Sequence, residues 1–357
     1  MRVKVHVGTL MGLALALNGF AAALEAEPPQ SPGVKAAPIG ENKAVAAAVE
    51  KLAGQFKAHP AVPSKAKEGR VLYLLDAETG DATLIVDEPD EGLVYGGSPE
   101  WSQDGTRLLF DVTPAPGNAF DKSRLQLFEA GQKTPELSDL GPGNCPGLTP
   151  EGDRVIFLLN PGAVANAEPG TWIMQATGQN RRFLCEFGRP KISPDGKRLL
   201  IVSFADPTQL SLIDIKTGEP HQVSLAEPKI YTTPTWYGTG SDTLIAAVGD
   251  AESDSIALVD ISKPEEAKIK KVLWKRGPEL ETRPVYPIYS PETDLCIFIG
   301  RPRSHDPAGT LYSFHPGRSE KPRPYERKGY GIALSDPIFS PGGRYVVFSS
   351  EKVQPPK

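Results

Sequence analysis

One unit recurs six times between residues 70 and 350, and it narrows the possible folds of this chain more than any other feature. Its cleanest copy is Arg189-Pro190-Lys191-Ile192-Ser193-Pro194-Asp195-Gly196-Lys197-Arg198-Leu199-Leu200-Ile201-Val202-Ser203-Phe204. This reads as strand, tight turn, strand. In Ser-Pro-Asp-Gly the proline ring fixes φ at the second position, the aspartate bonds its own backbone, and the glycine accepts φ > 0. Residues 199–204 are an apolar, partly β-branched run bounded by turn residues, which predicts a strand buried on both faces between stacked sheets.

The copies align on the proline that opens each inner strand: Pro99, Pro146, Pro190, Pro234, Pro287 and Pro337. Their spacings of 47, 44, 44, 53 and 50 residues fall in the range of a four-stranded propeller blade. Two residues after each proline stands a large apolar side chain: Trp101, Leu148, Ile192, Trp236, Tyr289 and Phe339. The turn follows, degenerate in the fourth copy (Tyr237-Gly238-Thr239-Gly240) and the fifth (Ser290-Pro291-Glu292-Thr293). A second strand comes next, then a third after a variable loop (125–130, 171–175, 210–215, 255–261, 310–314), then a short fourth such as 182–186 or 221–225. The sixth copy ends at Ser350 without its third and fourth strands, and residues 70–80 and 81–86 match the missing pair. The expected fold is therefore all-β: a six-bladed β-propeller of four-stranded blades, its ring closed by N-terminal strands pairing with the C-terminal half-blade, preceded by one α-helix.

Upstream of the repeats, Met1-Arg2-Val3-Lys4 and an uncharged run over 7–24 ending in small residues read as a signal peptide over 1–26, cleaved near Ala23 or Ala26. The run falls short of the roughly 20 strongly apolar residues of a membrane span. No later segment is apolar enough to cross a bilayer, so no span is expected after signal removal. Residues 27–69 divide into a Pro-rich linker and an amphipathic helix over 41–57, with Val45, Val49, Leu52 and Phe56 on one face and His59-Pro60 as its stop. The propeller takes 70–350, and 351–357 form a tail.

Gly 35 and Pro 36 among 357 residues imply many turns, and only 8% aromatic residues imply an aliphatic core. A formal charge of −5 gives no electrostatic footprint for nucleic acid. The cysteines are Cys145, Cys185 and Cys296. On the blade assignment the first two stand on the innermost and outermost strands of one sheet, roughly 14 Å apart, too far for a bridge. Three free thiols are expected.

The pattern Pro-x-[apolar]-Ser-Pro-Asp-Gly-[Lys/Arg]-x-[apolar]3, with a third strand ending Asp-x-x-Thr-Gly as in Asp214-Ile215-Lys216-Thr217-Gly218, resembles the TolB-type β-propeller repeat over residues 70–350. That resemblance implies a periplasmic scaffold whose propeller face binds a peptidoglycan-associated lipoprotein. The repeat also resembles the propellers of prolyl-oligopeptidase-type peptidases, where it shields a separate hydrolase domain. With only residues 351–357 beyond the last repeat, no such domain is expected.

The sequence offers little chemistry. Gly96-Gly97-Ser98-Pro99-Glu100 and Gly238-Thr239-Gly240-Ser241-Asp242 both fail the Gly-x-Ser-x-Gly pattern of a nucleophile elbow. His59, His221, His305 and His315 are not paired at a metal-ligand spacing, and Cys-x-x-Cys is absent. Catalytic residues, metals and cofactors are accordingly not expected. Asp250-Ala251-Glu252-Ser253-Asp254 lacks the glycine and glutamate of a calcium loop and reads as a solvated connection. Arg301, Arg303, His305 and Asp306 form the one loop that concentrates charge, and its arginines could hold an anionic ligand. The large residues after the six prolines invite a sugar-stacking reading, but their repetition at one position favours packing between blades. The function expected from all of this is that of an exported, periplasmic or secreted, non-enzymatic scaffold. It would be a monomer binding a protein partner or other ligand in the cell envelope. The alternative is an enzyme or carbohydrate-binding protein with its site at one tunnel mouth.

Overall fold

The structure is a computed structural model describing residues 43–62, 70–87, 94–114, 119–185, 188–204, 206, 208–226, 228–249, 254–277, 282–301, 309–318, 320–325 and 333–351. The expected signal peptide, the linker ahead of the helix and residues 352–357 lie outside the described residues.

Six antiparallel sheets are present among these residues, and five follow chain order from the innermost strand outward. Blade 1 holds β3 (Val94–Trp101), β4 (Arg107–Pro114), β5 (Arg124–Ala130) and β6 (Pro135–Pro142). Blade 2 holds β7 (Asn144–Leu148), β8 (Arg154–Leu159), β9 (Gly170–Gln175) and β10 (Arg182–Cys185), and blade 3 holds β11 (Arg189–Ile192), β12 (Arg198–Val202), β13 (Leu210–Asp214) and β14 (Pro220–Val223). In blade 4 the innermost position is split into β15 (Lys229–Ile230) and β16 (Thr235–Trp236), both paired to β17 (Thr243–Gly249), with β18 (Asp254–Asp260) and β19 (Lys268–Lys275) outside. Thr232-Thr233-Pro234 interrupts that inner strand, since proline has no N–H to give the ladder. Blade 5 holds β20 (Arg283–Ser290), β21 (Leu295–Arg301), β22 (Thr310–Phe314) and β23 (Arg323–Pro324).

Blade 6 is composite: β24 (Ala333–Phe339) and β25 (Tyr345–Glu351) come from the end of the chain, β1 (Arg70–Asp76) and β2 (Ala82–Val86) from its beginning. Register runs unbroken from Arg70↔Glu351 to Asp76↔Tyr345, so the closure expected from the repeat count is present.

Each turn is built as its residues dictate. In blade 3 the Ser193 hydroxyl donates to Asp195 Oδ1 at 2.7 Å, and that oxygen also accepts the Lys197 N–H at 3.1 Å. Gly196 takes φ +68° and donates its N–H to the Ser193 carbonyl at 2.9 Å. Blade 1 repeats the arrangement with Ser102, Asp104 and Thr106. Burial alone would raise the Asp195 carboxyl, but hydrogen bonds from Ser193, the Lys197 N–H and Ser241 hold it below the usual carboxylate range.

Six apolar clusters occupy the six junctions between neighbouring blades. Leu109 and Leu127 of blade 1 meet Val155 and Phe157 of blade 2. Ile156 and Ile173 on the other face of blade 2 meet Leu199 and Ile213 of blade 3. Burying successive residues against opposite neighbours is why the second strands read as continuous apolar runs. The run at 199–204 is shorter than expected: β12 ends at Val202, and Phe204 is half exposed.

The expected helix is α1 (Lys43–Ala58), and its stripe faces the body. Val49, Leu52 and Phe56 join Leu72 and Leu74 of β1, Tyr345 and Val347 of β25, and Trp101, Leu108 and Phe110 of blade 1 in one cluster. The helix thus lies over the seam between the composite blade and blade 1. Polar contacts border it: Lys57 Nζ lies 2.8 Å from Asp76 Oδ2, Arg344 donates to Glu50 at 3.0 Å and Asp76 at 3.3 Å, and the Tyr345 hydroxyl donates to Glu50 at 2.9 Å.

All three cysteines are free, as expected, with Cys145 on the innermost and Cys185 on the outermost strand of blade 2. No described helix is long and apolar enough to cross a membrane.

Candidate functional site

The turns between first and second strands converge at one end of the tunnel and enclose a cavity of about 200 Å³. All six large residues singled out by the repeat line it: Trp101, Leu148, Ile192, Trp236, Tyr289 and Phe339. The same side chains also belong to, or pack against, the clusters between blades. Packing between blades is therefore observed, and the six residues form the wall of the mouth as well.

Polar groups interrupt this wall. The Trp236 Nε1–H donates to the Lys191 carbonyl at 3.1 Å, and the Tyr289 hydroxyl donates to Asp294 at 2.8 Å. Burial and the Asp294 carboxylate push the Tyr289 phenol well above its ordinary range, so it stays protonated. Tyr237 stacks on Tyr289 with ring centroids 5.5 Å apart. Glu100, Lys191 and Glu292 add charge to the lining. Gln103 of blade 1 donates to the Pro194 carbonyl of blade 3 at 2.5 Å, reaching past blade 2. That bridge, together with Arg107 to the Gly152 carbonyl at 2.6 Å and Arg198 to the Ser241 carbonyl at 3.2 Å, ties together the turns of blades 1 to 4.

Three residues upstream of Trp101, Leu148 and Ile192 on the same inner strands, Ser98, Cys145 and Arg189 meet in a polar knot. Arg189 donates to Ser98 Oγ at 3.1 Å, and Ser98 Oγ lies 3.7 Å from Cys145 Sγ. The buried Asp111 accepts the Cys145 N–H at 2.7 Å. Ser98 and Cys145 hold φ of +43° and +46° immediately before proline, a left-handed geometry non-glycine residues seldom adopt.

Arg301 ends β21 with its guanidinium 5.3 Å from the Tyr286 ring, while Arg303, His305 and Asp306 lie outside the described residues. Of the acidic run 250–254, the first four residues lie outside the described residues; at Asp254 alone the solvated reading fails, since it starts β18, is 2% exposed, and pairs with Arg276 and Arg283 at 3.2 Å each. The arginines on either side of residues 277–282 are what make that burial tolerable. His221 contacts Glu265 at 2.9 Å and His315 the Asp294 carbonyl at 3.0 Å. Among the described residues no group of three metal-ligating side chains occurs. Sequence reasoning missed the Gln103 bridge, which depends on ring radius. It also missed a basic outer strand in blade 4, which a whole-chain charge sum averages away.

Fold and mouth together define a six-bladed β-propeller with an apolar socket at its turn-bearing end. No protein-family model matches the chain, and no curated protein matches it. Solved structures do match. A protein assigned as TolB from Agrobacterium tumefaciens is 16% identical, with 81% of this chain and 100% of that one covered at a TM-score of 0.58. TolB from Acinetobacter baumannii is 16% identical over 80% of this chain and 64% of its own, at a TM-score of 0.45. The Pyrococcus horikoshii acylaminoacyl peptidase is 13% identical over 65% of this chain and 39% of its own, at 0.39. The first likeness identifies the fold as a TolB-type propeller, as the repeat pattern implies.

Proposed function

We propose that this chain is an exported, non-enzymatic scaffold of the cell envelope, and that the turn-bearing mouth of its tunnel receives a protruding segment of a protein partner. The observation that carries the reading is the mouth itself, where six blades each contribute one large side chain to a single concave, mostly apolar surface. Such a surface, braced by bonds between turns, is pre-organised, so binding there costs little ordering of the receptor. Fold analogy to TolB adds weight without deciding the partner.

Trp236→Ala and Tyr289→Ala each remove an aromatic wall and leave the bonds of Gln103, Arg107 and Arg198 in place. They lose the bonds to the Lys191 carbonyl and to Asp294 respectively, so urea unfolding of both variants accompanies the test. A partner recovered from envelope extract by the mature protein should be lost from both variants and kept by Leu137→Ala, an exposed position on the outer strand of blade 1. Equal recovery by all three proteins would end the proposal. A sugar-binding reading is favoured by the same two tryptophans and the tyrosine, since flat rings suit pyranose faces. Quenching of tryptophan fluorescence by peptidoglycan fragments, with no protein partner recovered, would favour it.

A further inference from the structure

The outermost strand of blade 4, β19, reads Lys-Ile-Lys-Lys-Val-Leu-Trp-Lys, and Lys268, Lys270, Lys271 and Lys275 are all exposed. It pairs with β18 on one side only; no other described strand lies along its second edge. Its entry is pinned to blade 3, where the Ser224 N–H donates to the Pro264 carbonyl at 2.8 Å and Leu225 bridges to Ala267. Beyond that point no described strand pairs with the edge.

Several arginines elsewhere on this surface are paired with carboxylates: Arg107 with Glu129, Arg124 with Asp139 and Arg344 with Glu50. On β19 only Lys268 has a carboxylate within ion-pair distance, Asp260 at 4.0 Å. Among the described residues none lies that close to Lys270, Lys271 or Lys275. In a chain of net charge −5 this is a local surplus of positive charge, and it surrounds Val272, itself 49% exposed.

We propose that β19 docks an extended acidic segment of a partner protein, with carboxylates facing the lysines and an apolar residue on Val272. Lysines along a free edge are a common guard against strand-to-strand aggregation, and two register irregularities in β19 serve the same end. That guard is selective. Like charges facing across an edge repel a second copy of β19, whereas an acidic strand gains cross-strand pairs from the same side chains. The guard against self-pairing is thus a filter for partners of opposite charge. The surface lies on the outside of the ring, away from the mouth, so its success or failure is independent of the socket proposed above.

The test uses the full mature chain and a fluorescent peptide of about ten residues alternating glutamate with threonine, strand-forming in length and pattern. The double variant Lys270→Glu/Lys271→Glu should weaken its binding at least tenfold, and a peptide with lysine in place of glutamate should recover affinity for that variant. Raising ionic strength from about 0.05 M to about 0.5 M should weaken the native pair by a similar factor, since both charges are exposed. Trp236→Ala should leave all of this unchanged. Equal affinity for acidic and basic peptides would overturn the proposal, as would indifference to the double variant. Lysine-dependent binding to phosphatidylglycerol vesicles with no binding of the peptide would overturn it in favour of a lipid surface.

Discussion

Gly238 and Gly343 share a φ of +75°, yet their surroundings differ. A Cβ on Gly238 meets nothing within 4 Å, whereas one on Gly343 collides with the Ser290 side chain of the neighbouring blade, 2.7 Å from its Cβ. Gly238→Ala should therefore cost only the left-handed strain, about 1 kcal/mol, and Gly343→Ala that strain plus about 1–3 kcal/mol of overpacking. Urea unfolding of the two variants decides: equal losses would mean that blades 5 and 6 yield freely at the mouth. At this scale the sequence is legible where a residue's role is local. Ser193, Asp195 and Gly196 do what Ser-Pro-Asp-Gly requires because the bonds that shape the turn all close within five residues; the Ser241 bond to Asp195 comes from the next blade and was not legible. Asp254 was not legible, since its burial depends on Arg276 and Arg283, which reach it from beyond its own strand.

The helix shows what a single element adds. Its stripe could be read from Val45, Val49, Leu52 and Phe56, but not its berth, because an apolar stripe does not name the surface that covers it. Its ionic border centres on Asp76, which is 1% exposed and contacts both Lys57 and Arg344. Burial alone would raise the Asp76 carboxyl, but hydrogen bonds from Lys57 and the Glu78 N–H, with the charges of Lys57 and Arg344, hold it below its ordinary range. A depressed carboxylate stabilises the fold above its unfolded value, about 3.9, and loses that contribution as pH falls through the folded value. Asp76→Asn should thus cost about 2 kcal/mol at neutral pH, as for hydrogen bonds to a charged group. Its urea midpoint should approach that of the native chain as pH drops below about 4. A gap that persisted unchanged into acid would assign the loss to packing instead of charge. The strands, by contrast, were legible to within a residue or two, for example 310–314 in blade 5, because a period repeated six times averages out local ambiguity.

For the whole molecule, the count of blades and the manner of closure followed from an arithmetic property of the repeat: a half unit missing at one end and present at the other. The mouth was half legible. Repetition marked the six residues that form it, but that they share one cavity is a fact about a ring and not about any copy. The closure also fixes how the molecule answers to force. Arg70 and Glu351 are partners in register, so both chain ends leave the composite blade at the same end of the β1–β25 ladder. Tension applied through those ends would part this ladder pair by pair, like a zip, instead of shearing its seven residues at once. α1 precedes β1 and is seated across that seam, so it must come away first. Pulled by its termini in an optical trap, the protein should show a small early extension as the helix lifts, then opening at low force. One abrupt high-force rupture would contradict that order. Held at both ends and put under strain, such a ring would give way first at the join its own termini make.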